Sequence, residues 1–368
     1  MYSLHPSTRL PPQKVLLTVS RNKKQLIDLI VADLVAHSDV IRAKLVITGN
    51  DSIPIEICHG VVTRREDMSI THEEADTMIM KQMASAGAAI MLVVADDTDI
   101  FVLLCHFLFH GDIQGQVMMV SPIRGRTCID INATVEKHRS LMHDLLLAAH
   151  GLTGCDTVAT YHGIGKGVAL KTLKTNKCPL SKLGDMNSML PDVILQATRF
   201  MLMCYGHFEC QSMTSARQKI WTTKISRSIC GAPKLQTLPP TDEAFRENVL
   251  RAHLQVAVWR KALDPNPPNI DPLKHGWTRL HGSTSLTPTT VSDDVSLVPD
   301  DILKMIKCSC ERSMPCKSVR CGCHNASMPC TEFCACGGGH NCYNQKTRER
   351  AQAEDEEYEN EDEYEQDD

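Results

Sequence analysis

Ile90-Met91-Leu92-Val93-Val94-Ala95, running straight into Asp96-Asp97-Thr98-Asp99, is the stretch on which the fold turns. Six apolar residues without alternation, three of them β-branched, predict a strand buried on both faces. The abrupt change to carboxylates puts acid at the strand's carboxyl end, the edge at which open α/β sheets bind ligands. Asp97 and Asp99 stand two apart at that exit, where both side chains can turn toward one cation.

Outward from this strand the pattern alternates. On its N-terminal side, Thr71-His72-Glu73-Glu74 has the form of a capping box, opening a helix whose apolar face is Met78, Ile79 and Met83 and which Gly87 ends. Farther back, 43–48 and 53–57 read as strand, turn, strand around Gly49-Asn50-Asp51, preceded by a helix over 23–37 and a short strand over 14–20. On the C-terminal side, 100–108 fits helix or strand and 116–120 fits a strand. Units of this kind predict an α/β fold: a parallel sheet with helices on both faces.

A helix over 140–150 stops at Gly151 and leads into Gly154-Cys155-Asp156 and Gly163-Ile164-Gly165-Lys166. Two helices joined by such a turn expose backbone N–H groups beside a helix N-terminus, a seat for a phosphate to which Lys166 and Lys171 add charge. From 180 to 280 the pattern is helical, with one long helix over 241–263. Ser, Thr and Pro over 281–300 predict a linker, and 352–368 is too charged to fold.

Composition narrows the class. Of the chain's 44 acidic residues, 11 lie between Glu354 and Asp368, so the rest carries 39 basic and 33 acidic residues and is mildly basic. The longest nearly apolar run, Met83 to Ala95, is 13 residues, short of the roughly 20 that a membrane-spanning helix needs. The opening residues lack an apolar signal core, so reduced thiols are expected. Eight of the 17 cysteines are scattered and are expected as small core residues. The other nine, Cys308, Cys310, Cys316, Cys321, Cys323, Cys330, Cys334, Cys336 and Cys342, make three Cys-x-Cys pairs interleaved with three single residues.

Zinc takes four thiolates in a closed structural site, so nine can saturate three ions only by sharing, with six terminal and three bridging sulphurs. Nine thiolates against three Zn²⁺ leave a charge of −3, while Arg312, Lys317 and Arg320 lie within the block and Lys304, Lys307, Lys346, Arg348 and Arg350 flank it. This block resembles the tesmin-type CXC domain found in chromatin regulators. The resemblance implies three structural zinc ions and DNA binding, and the basic residues on or beside the compact zinc core, Lys317 and Arg320 among them, are the expected DNA contacts. Arg320 stands where such repeats commonly have an aromatic residue.

The carboxylates carry a second resemblance. Glu74-Ala75-Asp76, Asp97-Thr98-Asp99, Gly154-Cys155-Asp156 and Gly163-Ile164-Gly165 follow one another as the motifs of the flap endonuclease and XPG superfamily do, within the PIN-like nucleases. The resemblance implies a partial PIN-like parallel sheet with flanking helices and a helix-two-turn-helix. It also implies Glu74, Asp76, Asp97, Asp99 and Asp156 as catalytic carboxylates for Mg²⁺ or Mn²⁺, and Gly163, Gly165 and Lys166 as DNA contacts. In that family further acids and phosphate-gripping basic residues precede the matched segment, and 15–19 carries no Asp. Leu238-Pro239-Pro240-Thr241, Ala257-Val258-Trp259-Arg260 and His275-Gly276-Trp277 resemble a group of transposon-like animal proteins.

The expected organisation is a PIN-like domain over 1–180, a helical extension over 181–280, a linker over 281–304, a zinc-stabilised Cys-rich domain over 305–346 and an acidic tail over 347–368. The expected function is a nuclear, DNA-associated protein descended from a metal-dependent nuclease, weakly active or inactive, with an acidic tail suited to chromatin proteins and no membrane partner. The rival readings are an active Mg²⁺- or Mn²⁺-dependent endonuclease and a non-catalytic chromatin adaptor with a purely structural zinc knot.

Overall fold

The computed structural model describes residues 5, 8–9, 12–69, 75–123, 125–143, 145–227, 235–264, 267–280 and 285–291, and, in the Cys-rich block, 307–310, 316–318, 320–325, 329–330, 334–338 and 342–344. Glu74 with its capping box, the acidic tail and most of the 281–300 stretch lie outside these residues. Among the described residues the chain is mixed α/β, with twelve α-helices and three small sheets. The backbone forms two compact units, Met1–Leu147 with Val256–Ile270, and Ala148–Gln255 with Asp271–Asp368.

The first unit opens with α1 (Gln13–Thr18) and α2 (Ser20–Ala36), so the strand expected over 14–20 is a helix. Pro12 supplies the extended residue before the first turn, and its carbonyl accepts the N–H groups of Val15 and Leu16 at 2.9 and 3.1 Å. Leu16 is buried while Val15 and Val19 are exposed, and the buried Asn22 amide donates to the Leu16 carbonyl at 3.2 Å. Next come β1 (Leu45–Ile47), β2 (Ile55–Cys58) and β3 (Val61–Arg64), an antiparallel sheet in that order. His59 and Gly60, at φ 50° and 78°, make the tight β2–β3 turn, since positive φ at both central residues matches the strands' twist.

α3 (Ala75–Ala86), β4 (Ile90–Val94), α4 (Thr98–His110), β5 (Gln116–Val120), β6 (Ile129–Asp130), α5 (Ile131–Lys137) and α6 (Arg139–Met142) complete this unit's main elements. β4 and β5 run parallel, pairing Ile90 with Gln116 through Val94 with Val120, and β6 is antiparallel to β5. The expected parallel sheet is therefore one parallel pair with an antiparallel edge. Gly115, at φ 100°, lets the chain enter β5: a Cβ there would stand 2.6 Å from the Ala88 carbonyl oxygen.

Two-sided burial of β4 does not hold. Met91 and Val93 are buried, but Ile90, Leu92 and Val94 are 75%, 62% and 64% exposed. Leu92 and Val94 line a cleft of about 600 Å³ together with Val46, Met68 and Met83. The cause is position, because β4 is an edge strand whose one partner among the described residues is β5. The stretch over 100–108 is helical and packs Ile100, Leu103, Leu104 and Phe107 inward.

In place of one helix over 140–150 there are α6 and then α7 (Leu145–Leu152), which passes through Gly151. The boundary between the units falls inside α7 and again inside α11 (Asp242–Arg260). The second unit otherwise holds α8 (Lys166–Lys174), α9 (Leu190–Cys204), α10 (Met213–Arg227), α12 (Gly322–Asn325) and the hairpin of β7 (Trp277–Arg279) with β8 (Leu286–Pro288). Part of the expected linker is thus structured, with the Thr289 N–H donating to the Gly276 carbonyl at 2.9 Å.

α11 follows the expected 241–263 helix closely, with Thr241 Oγ1 capping it by accepting from the Ala244 N–H at 3.3 Å. Its buried polar residues hold the loop between α7 and α8. Gln255 accepts from Thr157 Oγ1 at 2.7 Å, and Asn248 both donates to and accepts from the backbone of Ala159 at 3.0 and 3.1 Å. His253 Nδ1 accepts from the Gly184 N–H at 2.9 Å, which leaves the ring proton on Nε2.

Candidate functional site

The Cys-rich block brings its sulphurs to tetrahedral spacing. Cys308 Sγ lies 3.6, 4.0 and 3.7 Å from the sulphurs of Cys316, Cys330 and Cys336, Cys330 lies 3.5 and 3.8 Å from Cys316 and Cys321, and Cys323 lies 3.6 Å from Cys334. A zinc ion with bonds of about 2.3 Å has tetrahedron edges of about 3.8 Å, whereas a disulfide brings sulphurs to about 2.05 Å. The described cysteines are all free thiols. The residues fit zinc.

Three quartets hold their ligand atoms within 4.8 Å: Cys308, Cys323, Cys330 and Cys334; Cys308, Cys316, Cys321 and Cys330; and Cys316, Cys330, Cys336 and Cys342. They overlap, with Cys330 in all three and Cys308 and Cys316 in two each, so the sulphurs of Cys308, Cys316 and Cys330 are the ones placed for sharing. Cys310 belongs to none of the quartets and packs half-buried against the cluster.

Electrostatics in this cluster call for a cation. Burial pushes the Cys316, Cys323 and Cys330 thiols up, and neighbouring sulphurs push Cys316 and Cys323 further. Burial likewise raises Cys310 to about 11. At Cys308 burial also acts upward, but the Cys310 N–H and the Cys316, Cys336 and Cys321 thiols bring it down to about 6. Thiols packed this tightly cannot ionise together unaided, and a divalent cation among them makes the thiolate set stable.

The cluster rests on residues distant in sequence that no local pattern announces. Trp221 of α10 and Leu238 form one buried cluster with the cysteines, with Ile220 and Leu235 packed against it. Asn344 donates to the shared Cys330 Sγ at 3.4 Å, an outer contact that orients a ligand sulphur. Lys317 and Arg320 are exposed, and the Lys317 ammonium lies 5.8 Å from the Tyr343 ring centroid. Lys304, Arg312, Lys346, Arg348 and Arg350 lie outside the described residues.

The carboxylates are gathered less closely. Asp97 and Asp99 stand together after β4, where Asp97 caps α4 by accepting from the Asp99 N–H at 2.8 Å. Asp96 beside them is paired with Arg126. Asp76 lies in the first turn of α3, in the same unit, and Asp156 is exposed in the second unit. Among the described residues the one carboxylate that meets two further ligand atoms within 4.8 Å is Glu209, with His207 and Cys210, and Glu209 is also bound by Lys219 at 2.5 Å.

The turn before α8 takes the expected form. Gly163 has φ 77°, Gly165 is the residue before the helix, and bridges between Cys155 and Val158 and between Tyr161 and Ile164 close two tight turns. Lys166 points inward: its ammonium donates to the carbonyls of His150 and Gly154 and to Thr153 Oγ1, which satisfies the end of α7. Lys171 is exposed. No helix among the described residues is long and apolar enough to cross a membrane. Comparison with protein-family models, curated proteins and solved structures finds no match.

Proposed function

We propose that the chain is a nuclear DNA-binding protein whose Cys-rich block, organised by three zinc ions on shared thiolates, meets the duplex through Lys317 and Arg320. The observation that carries this reading is the set of overlapping quartets at zinc spacing beside two exposed cations. In it, zinc supplies only structure: it holds the short segments of the block in one shape and cancels most of the thiolate charge. Lys317, steadied over Tyr343, and Arg320 then reach phosphate oxygens, which releases counterions and makes binding fall steeply with salt. The tesmin-like spacing supports three ions and a nucleic-acid partner. The α/β unit with Asp76, Asp97 and Asp99 is read as the remnant of a metal nuclease that binds Mg²⁺ or Mn²⁺ weakly and cuts DNA poorly or not at all.

Metal analysis of the purified chain, followed by duplex binding across a salt series, tests this function. The expected outcome is three zinc ions per chain and affinity that drops with salt and with Arg320→Glu. A count of one or two ions refutes the shared-thiolate arrangement, and binding indifferent to salt and to Arg320→Glu refutes the DNA contact. In a Mn²⁺ nuclease assay, robust cleavage lost in both Asp97→Ala and Asp99→Ala would replace the remnant reading with an active enzyme.

A further inference from the structure

Tyr161, His162, Tyr205, Arg217 and Arg251 line a pocket of about 400 Å³ in the second unit, in which no lining residue is an Asp or Glu. We propose that this pocket binds a phosphate group, and the proposal stands independently of the Cys-rich block.

Both arginines are brought there by the fold and are buried, at 6% and 7% exposure for Arg217 and Arg251. Arg251 donates to the Gly276 carbonyl at 2.9 Å and to Asn248 Oδ1 at 3.0 Å, neutral acceptors that fix the guanidinium, while the Glu247 carboxylate outside the pocket lining favours its charged form. Arg217 donates to the Pro239 carbonyl at 2.5 Å. Burial pushes both guanidinium groups down from their ordinary range, and an anion in the pocket would favour their charged forms.

The hydroxyls add donors. Burial pushes the Tyr161 and Tyr205 phenols up, so both keep their protons. Tyr161 accepts from Asn248 Nδ2 at 2.7 Å, which leaves its own O–H to donate, and the Tyr205 hydroxyl is buried with no partner. Two guanidinium groups, two phenolic O–H groups and His162, with no carboxylate among them, match a ligand that only accepts hydrogen bonds and carries more than one charge. A phosphate has the acceptor oxygens and the charge for this donor set, and the planar guanidinium fork suits it.

The phosphate can come as a free anion or as part of a nucleic-acid strand, and two arms separate these sources. In the first, the thermal midpoint of the zinc-loaded full chain is measured in inorganic phosphate against chloride of equal ionic strength. In the second, single-stranded DNA is added to the Lys317→Ala/Arg320→Ala chain, so that binding through the Cys-rich block is not what is read. Each arm is repeated with Tyr205→Phe, which removes one unpartnered oxygen and keeps the ring, and with His162→Ala at the exposed rim.

Tyr205→Phe is expected to match or exceed wild type in thermal midpoint without ligand and to bind the anion about tenfold more weakly. A shift with phosphate that Tyr205→Phe diminishes supports a free anion, and one seen only with DNA and diminished likewise supports a strand phosphate. The absence of a shift in both arms, or a shift that survives both Tyr205→Phe and His162→Ala undiminished, overturns the proposal.

Discussion

Asn248 fills every hydrogen-bonding site an amide has: Nδ2 donates to the Ala159 carbonyl and the Tyr161 hydroxyl, and Oδ1 accepts from the Ala159 N–H and from Arg251. Asn248→Ala would leave a strand of loop backbone and an arginine short of partners inside the second unit. The expected loss is about 3 kcal/mol in denaturant unfolding, and a loss under about 1 kcal/mol would show that water replaces the amide. Nothing near Asn248 in sequence announces this, because its partners at Ala159 and Tyr161 are 89 and 87 residues away. Lys166 illustrates the same limit. A lysine beside Gly-Ile-Gly reads naturally as a phosphate ligand, yet its ammonium is occupied by the carbonyls that end α7. Local pattern located the turn, and only the fold decides which way a long side chain goes.

Among elements, β4 separates what sequence carries from what it does not. The position, the length and the acidic exit were legible because apolar run and charge switch are both local. Which face is covered was not, since both faces of the strand are apolar and alternation is therefore invisible in the sequence. Burial assigns different costs to neighbouring positions. Val93→Ala, at a buried site, is expected to destabilise the first unit by about 1–3 kcal/mol, while Leu92→Ala, at a site 62% exposed, should stay within about 0.5 kcal/mol. Equal losses in chemical unfolding would mean that the Leu92 face is covered in solution. α1 marks the opposite error: 14–20 reads as a strand, and Pro12 with one buried leucine opens a short helix there instead.

At the scale of the whole molecule, the Cys-rich block was the most legible part, because ligand type and spacing are written covalently. Its seat was not legible, since Trp221 and Leu238 join the cysteines only through the fold. That seat makes zinc a structural matter for the second unit and not for the block alone. With the metal removed, thiols that burial and mutual proximity hold in their protonated form no longer have a common partner, and the short segments between them lose their tether. Trp221, 1% exposed, should then meet water. Chelation of the full chain is therefore expected to shift tryptophan emission to the red, and Trp221→Phe should abolish most of the shift, because neither Trp259 nor Trp277 belongs to the buried cysteine cluster. Helical signal should largely persist, since α9 and α11 bury Val193, Phe200, Phe245 and Val249 without using the cysteines. Acid should ease the release, because each ligand sulphur must lose a proton to bind zinc and proton competition grows as pH falls. Emission unchanged by complete zinc removal would detach the block from α10 and leave it a self-contained knot. Loss of all helical signal would go the other way, making zinc the keystone of the entire second unit.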